Sequence, residues 1–220
     1  PTGYRADPVF GYVAHGLLQT DAQAAAAPTF QGVRPIAGDI KYIDQNGDGM
    51  ISDYDRVLIG NIKPKIYYGT TLRFNYKGLD FSVLVQGVIN NQINSNDYTA
   101  FLASNGQGYE RLLGRWTPEN GANATLPRLR IDGQNTIDGS PYVMSTYWLK
   151  DNNYLRIKNV ELGYSLPRSV LSKIHISGLR VFVSGLNLFT LAQYKDADPE
   201  IGVTSYPIQR VYNAGISLKL

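Results

Sequence analysis

The residues from Tyr67 to Asn90 alternate in character with a period of two, and that pattern narrows the fold more than any other feature of the chain. In "YYGTTLRFNYK", Tyr68, Thr70, Leu72, Phe74 and Tyr76 fall on one side, with Tyr67, Gly69, Thr71, Arg73, Asn75 and Lys77 on the other. Successive side chains of a strand point to opposite faces, so this spacing predicts a strand with two unlike surfaces. After "YKGLD" the pattern resumes, with Leu79, Phe81, Val83, Val85 and Ile89 set against Asp80, Ser82, Gln86 and Asn90. Two alternating runs joined by a short glycine turn predict a hairpin. "RVYNAGISLKL" alternates in the same way, Tyr212, Ala214, Ile216, Leu218 and Leu220 against Asn213, Gly215, Ser217 and Lys219. "YWLKDNNYLRIKNVELGYSLP" and "LRVFVSGLNLFTLAQY" predict two further strands, with one helical turn in "RSVLSKIHISG" between them. "VFGYVAHGLLQ" makes a sixth strand. The expected class is all-β, with antiparallel up-and-down strands.

The connections between these strands come in two lengths. Short ones lie near residue 77 and at 165–178, and long ones at 20–66, 91–146 and 191–206. A sandwich in water is not expected to carry a connection as long as 91–146, rich in Asn, Gly, Ser and Pro. Outer-membrane barrels alternate short periplasmic turns with long extracellular loops. If Leu220 lies at the periplasm, every long connection falls outside and every short one inside. Sixteen tyrosines stand beside seven phenylalanines and two tryptophans. Tyrosine suits a surface that is apolar along the ring and wet at its tip, as in a membrane-interface girdle. No stretch is apolar for long enough to cross a membrane as a helix, which excludes a helical membrane protein and says nothing against a barrel, whose spans alternate. Six strands cannot close around a useful lumen, so the remaining strands must come from outside these residues. The chain starts at Pro1 and is read as a piece of a longer or processed polypeptide.

Composition removes several classes of function. There is no cysteine, hence neither a disulfide framework nor a thiolate metal site. The net charge is +3 with the basic residues scattered, which describes a mixed solvated surface and no nucleic-acid partner. The two histidines, His15 and His175, stand far apart in no metal-ligand spacing. No nucleophile elbow, phosphate loop or dinucleotide fingerprint is present. Asp196, Asp198 and Glu200 read as a polar external loop and not as a catalytic carboxylate pair. The chain is therefore not read as an enzyme.

One motif is specific. "DQNGDGMISDYD", Asp44 to Asp55, has the oxygen spacing of a twelve-residue calcium loop. Its ligand positions hold Asp44, Asn46, Asp48, the Met50 carbonyl, Ser52 and Asp55, with Gly49 at the turn and Ile51 as the apolar tether. Asp55 stands where Glu is usual. The competing reading is an Asx-rich turn whose side chains bond their own backbone without an ion. Calcium would be structural here in either case, since the loop falls in a long connection.

Seven stretches in order resemble the C-terminal part of the SusC/RagA-type TonB-linked (TonB-dependent) outer-membrane proteins of Bacteroidota. They are "FGYVAHGLLQ", "GDIKYIDQNGDGMISDYDRVLIGN", "YYGTTLRFNYKGLDFSVLVQGV", "RWTPEN", "YLRIKNVELGYSLP", "LRVFVSGLNLFT" with "YKDADPE", and the closing strand. The resemblance implies a large transmembrane barrel of about 22 strands plugged by an N-terminal domain. Residues 1–220 would supply about six of those strands, and the plug would lie outside them. It also implies import of glycans or peptides, a SusD-like surface lipoprotein as lid, and energy from TonB acting through the missing N-terminal part. On this reading Tyr68, Leu72, Phe74, Phe81, Val83, Val85, Tyr212, Ile216 and Leu218 face outer-membrane lipid or the aromatic belt. Arg73, Asn75, Gln86, Asn213 and Ser217 face the lumen or plug. Tyr98, Phe101, Tyr109, Trp116 and Tyr206 are candidates for stacking on sugar rings, and Arg111, Arg115, Arg128 and Arg130 form a basic stretch. The alternative is a secreted calcium-binding β-sandwich serving as a binding or adhesion module.

Overall fold

A computed structural model describes residues 8–95, 110–129, 143–172, 176–202 and 206–219. In chain order it begins with strands β1 (Pro8–Gly11) and β2 (Ala14–Leu17), helix α1 (Asp21–Ala26), and strands β3 (Thr29–Phe30), β4 (Ile40–Tyr42), β5 (Met50–Ile51) and β6 (Val57–Asn61). The long strands β7 (Ile66–Tyr76) and β8 (Leu79–Ile89) follow, then the short β9 (Gln92–Asn94) and β10 (Leu149–Asp151). Strand β11 (Tyr154–Ser165), the single helical turn α2 (Arg168–Leu171), β12 (Gly178–Ala192) and β13 (Val211–Lys219) complete it. These elements fall into two compact units, one from Pro1–Lys63 and Gln92–Lys150, the other from Pro64–Asn91 and Asp151–Leu220.

The second unit is a five-stranded antiparallel sheet in the order β13-β12-β11-β8-β7. Its first hairpin closes with Tyr76 opposite Leu79, through Lys77 at φ 47° and Gly78 at φ 87°. Two successive positive φ values give the mirror-image turn whose twist matches a right-twisted hairpin. The register assigns the faces. Leu72 stands opposite Val83, which stands opposite Val160, while Phe81 meets Leu162 and Leu162 meets Val183. Val183 in turn lies opposite Ala214, with Ile216 and Leu218 following on the same side. That face is apolar and bare: Leu72 is 62% exposed and Ile216 71%. The other face carries Arg73, Asn75, Asp80, Ser82, Glu161, Arg180, Asn213 and Ser217. The faces predicted from alternation are the ones observed.

Glycines on the sheet make room for large neighbours. Gly87 lies beneath the Tyr68 ring, whose hydroxyl reaches across it to donate to the Tyr154 carbonyl at 3.2 Å. Gly215 lies against the Phe182 ring and Gly163 against the Arg180 guanidinium. Filling a bare strand glycine with a neighbouring ring covers the backbone and fixes the pairing.

The first unit follows different rules. Tyr12, Phe30, Ile40, Tyr42, Ile51, Leu126 and Trp148 make a buried cluster. Tyr12, Phe30 and Tyr42 meet with ring centroids 5.3–5.6 Å apart at tilted or edge-on angles, as aromatic quadrupoles prefer. Short strand pairs surround it: β1 with β6, β2 with β4, β9 with β10, and β3 parallel to β5.

Here the sequence reading needs correction. "VFGYVAHGLLQ" is not a sixth strand of the sheet. It breaks into β1, paired with β6, and β2, paired with β4, both within the first unit. The register slips between Val9 and Phe10 and again within β2, where Gly16 takes φ 80°. Leu220, expected to end the last strand, lies outside the described residues.

Candidate functional site

Two charged clusters occupy the polar face of the sheet, one near each end. Near the hairpin turn, Arg180 projects from β12 onto Asp80 of β8 and Glu161 of β11. Its Nε donates to Asp80 Oδ1 at 3.0 Å, a second nitrogen to Asp80 Oδ2, and the same nitrogen to Glu161 Oε1 at 2.6 Å. The guanidinium also lies 5.1 Å from the Phe182 ring centroid. One arginine thus ties three adjacent strands together, as its planar fork allows.

Toward the other end, Arg156 of β11 is 2% exposed. Its Nε donates to the Thr190 hydroxyl at 2.8 Å, and its terminal nitrogens meet Asp198 at 2.7 Å and Glu200 at 3.1 Å. Lys158 reaches the same Glu200 at 2.6 Å. Lys158 can do so because both pairings of β11 slip between Ile157 and Asn159. The extra residue of a bulge re-aims its side chain. "DPE" is thus no loose external loop: its acids are drawn onto the sheet, and the Asn152 side chain donates to the Pro199 carbonyl at 3.1 Å. The sequence offered one signal for this, complementary charges in "RIK" and "DPE", with nothing to bring them together.

The calcium-spaced loop lies in the first unit, anchored by buried Ile51. Its side chains serve its own backbone. Asp44 accepts the amides of Gly47 at 2.6 Å and Gly49 at 2.7 Å, and both glycines have positive φ. Asn46 Oδ1 accepts from Asp48 N, and Asp48 Oδ1 from Met50 N. Asp55 is fully buried and accepts from Gln45 N at 2.8 Å and Ser52 N at 2.7 Å. Burial alone would raise its pKa. The amides of Ser52, Gln45 and Asn46 outweigh that and hold the carboxyl below the usual range. Ser52 returns the favour by accepting from Tyr54 N at 3.3 Å. Among the described residues no three His, Cys, Asp or Glu side chains gather closely enough to hold a metal ion. The donor set is of the hard oxygen kind calcium takes, and carboxylate oxygens bonded to one amide keep a second lone pair, but the carboxylates do not form a closed cage.

The aromatic and basic candidates separate. Trp116 packs on Gly38, and its ring nitrogen donates to Gln19 at 3.2 Å. Arg128 is bound to Asp39 at 2.8 Å, and Arg115 donates to the Leu112 carbonyl at 3.3 Å. All three do structural work within the first unit. Tyr206 is 79% exposed. Tyr98, Phe101, Tyr109, Arg130 and His175 lie outside the described residues, as does the side chain of Arg111.

No family model matches the chain. Individual relatives do. A TonB-dependent receptor of Formosa agariphila, P26, is 30% identical over 167 residues, covering 75% of this chain and 16% of that protein. A second from the same bacterium, P3, is 28% identical and covers 96% of this chain and 22% of its own length. The TonB-dependent receptor SusC of Bacteroides thetaiotaomicron is 27% identical over 81% of this chain and 17% of SusC. Among solved structures, that of the RagAB peptide transporter superposes with a TM-score of 0.66 at 26% identity, over 96% of this chain and 22% of the matched chain. The RagAB peptide importer in its open-open state gives 0.68 at 25% identity, over 99% and 23%. The chain spans about a sixth to a quarter of the length of these relatives.

Proposed function

Since the chain belongs to the SusC/RagA-type TonB-dependent receptors, as part of an outer-membrane β-barrel, we propose that the whole protein imports oligosaccharides or peptides across that membrane. The observation that carries this reading is the five-stranded sheet, with one bare apolar face and one charged face, in a fold shared over nearly its whole length with RagAB. An apolar outer face meets lipid, and a polar inner face meets a wet lumen. Edge strands β7 and β13 expose backbone groups that lipid cannot satisfy. They therefore pair with further strands of the same barrel, and a plug domain outside residues 1–220 fills the lumen. A surface lipoprotein of the SusD kind covers the mouth, and TonB acts through the plug side.

Deleting the gene in its own bacterium tests this. Uptake of labelled oligosaccharide or peptide should fall and return with the full-length receptor, but not in a strain lacking TonB. Uptake that is unchanged by deletion across both substrate classes overturns the reading.

A second proposal concerns the loop: calcium, when present, is held by Asp44, Asn46, Asp48, the Met50 carbonyl, Ser52 and Asp55, and supplies rigidity only. What supports it is the complete ligand spacing and the exposed rim on which Asn46 and Asp48 lie. Chelation should then raise proteolysis within residues 38–60 while leaving the barrel intact. Protection unchanged by chelator means that the amide bonds of the loop hold it unaided.

A further inference from the structure

The second unit contains a cavity that none of these roles uses. It has a volume of about 380 Å³ and lies where the chain after β12 turns back beside Arg156. Arg156, Thr190 and Asp198 form its wall, Ile208 gives it an apolar side, and Lys195 and Arg210 line it as well. Asn187, in a positive-φ position, holds the returning segment by donating to the Gln209 carbonyl at 3.2 Å.

The charges of this wall do not balance. Arg156 and Lys158 are matched by Asp198 and Glu200, so the buried cluster is neutral. Lys195 and Arg210 remain, and among the described residues no carboxylate pairs with either. Lys195 and Arg210 are exposed at the rim of the recess, so two cations beside a neutral wall present a local excess of positive charge to whatever enters it, and a carboxylate there gains charge-assisted hydrogen bonds. The recess is sized for one residue or one sugar ring and not for a whole oligomer.

We propose that this cavity is a subsite for a carboxylate of the imported molecule, bound by Arg210 through its planar fork and by Lys195 as a point charge. The proposal rests on the import reading and narrows it to acidic substrates. The carboxylate can belong to an acidic peptide or to a uronic-acid oligosaccharide, and the test has an arm for each.

The test is calorimetry on the full-length receptor in detergent. The probes are an Ala/Asp pentapeptide and tetragalacturonate, with an Ala/Asn pentapeptide and maltotetraose as neutral controls. At least one acidic probe should bind, and its affinity should fall roughly tenfold in Lys195→Gln or in Arg210→Gln and further in the double variant. The loss should shrink at high salt, neutral probes should be unaffected, and Lys195→Arg should restore binding. Heat-modified electrophoretic mobility checks that each variant has folded. An acidic probe bound equally by wild type and double variant overturns the proposal, as does failure of both acidic probes to bind wild type. Failure of the import reading is read elsewhere, in unchanged uptake by cells lacking the receptor, and does not alter the binding result.

Discussion

Arg156 and Asp55 are both buried charges, yet they are held by different means and should fail differently. Replacing Arg156 with Met leaves the largely buried Asp198 without its partner and Glu200 with Lys158 alone. Removing one partner of a buried pair costs about 3–5 kcal/mol. The urea midpoint of the folded, heat-modifiable form should drop accordingly, and adding Asp198→Asn with Glu200→Gln should recover part of the loss. Asp55→Ala should act locally, because two backbone amides lose their acceptor. A cost of about 1–3 kcal/mol is expected, seen as faster hydrogen exchange confined to residues 44–55. The contrast also explains what could be read in advance. Every partner of Asp55 lies within ten residues, so spacing alone exposes the loop. Arg156 and Asp198 are 42 positions apart, and their meeting depends on a bulge at Lys158 that no local pattern marks.

At the level of elements, alternation is dependable where both faces have a distinct solvent. Strands β7 and β8 have lipid on one side and a charged surface on the other, so a slip of one residue would invert every side chain. Val83→Arg places a charge on the apolar face and should cost roughly 2–4 kcal/mol, reducing the folded fraction recovered from membranes. Ser82→Arg, one residue away on the charged face, should assemble normally; equal damage from both would mean that the faces are misassigned. Gly78→Ala tests the turn, since a Cβ there would come within 2.6 Å of the Ser165 carbonyl at a φ of 87°. It should cost about 1 kcal/mol or more and slow barrel assembly. The early stretch "VFGYVAHGLLQ" alternates too, but only for four residues at a time. Gly16 and two register slips let it pair locally with β6 and β4, a tertiary outcome that periodicity does not reach.

Across the molecule, the two units answer to different solvents, which separates a barrel piece from a sandwich. The first unit buries its aromatic rings as a water-soluble domain does. Burial, helped by the charge of Asp39, pushes the Tyr42 phenol well above the ordinary value near 10. A folded pKa raised in this way stabilises fully below the unfolded value and loses that contribution as pH rises through the folded one. Alkaline titration past about pH 10 should therefore loosen this unit, and Tyr42→Phe should remove that step. In the second unit no layer of the described residues covers the apolar face: Tyr212 is 74% exposed, and Ile216, Leu72 and Leu191 stand bare on the same side. A sandwich would place a second sheet there at about 10 Å. In water such a face recruits other copies of itself, whereas detergent or lipid satisfies it. Expressed alone, residues 1–220 should pellet from aqueous buffer and become dispersed in detergent, with the sheet signal retained by circular dichroism. A soluble monomer in plain buffer would require that this face be covered, and would return the argument to the sandwich.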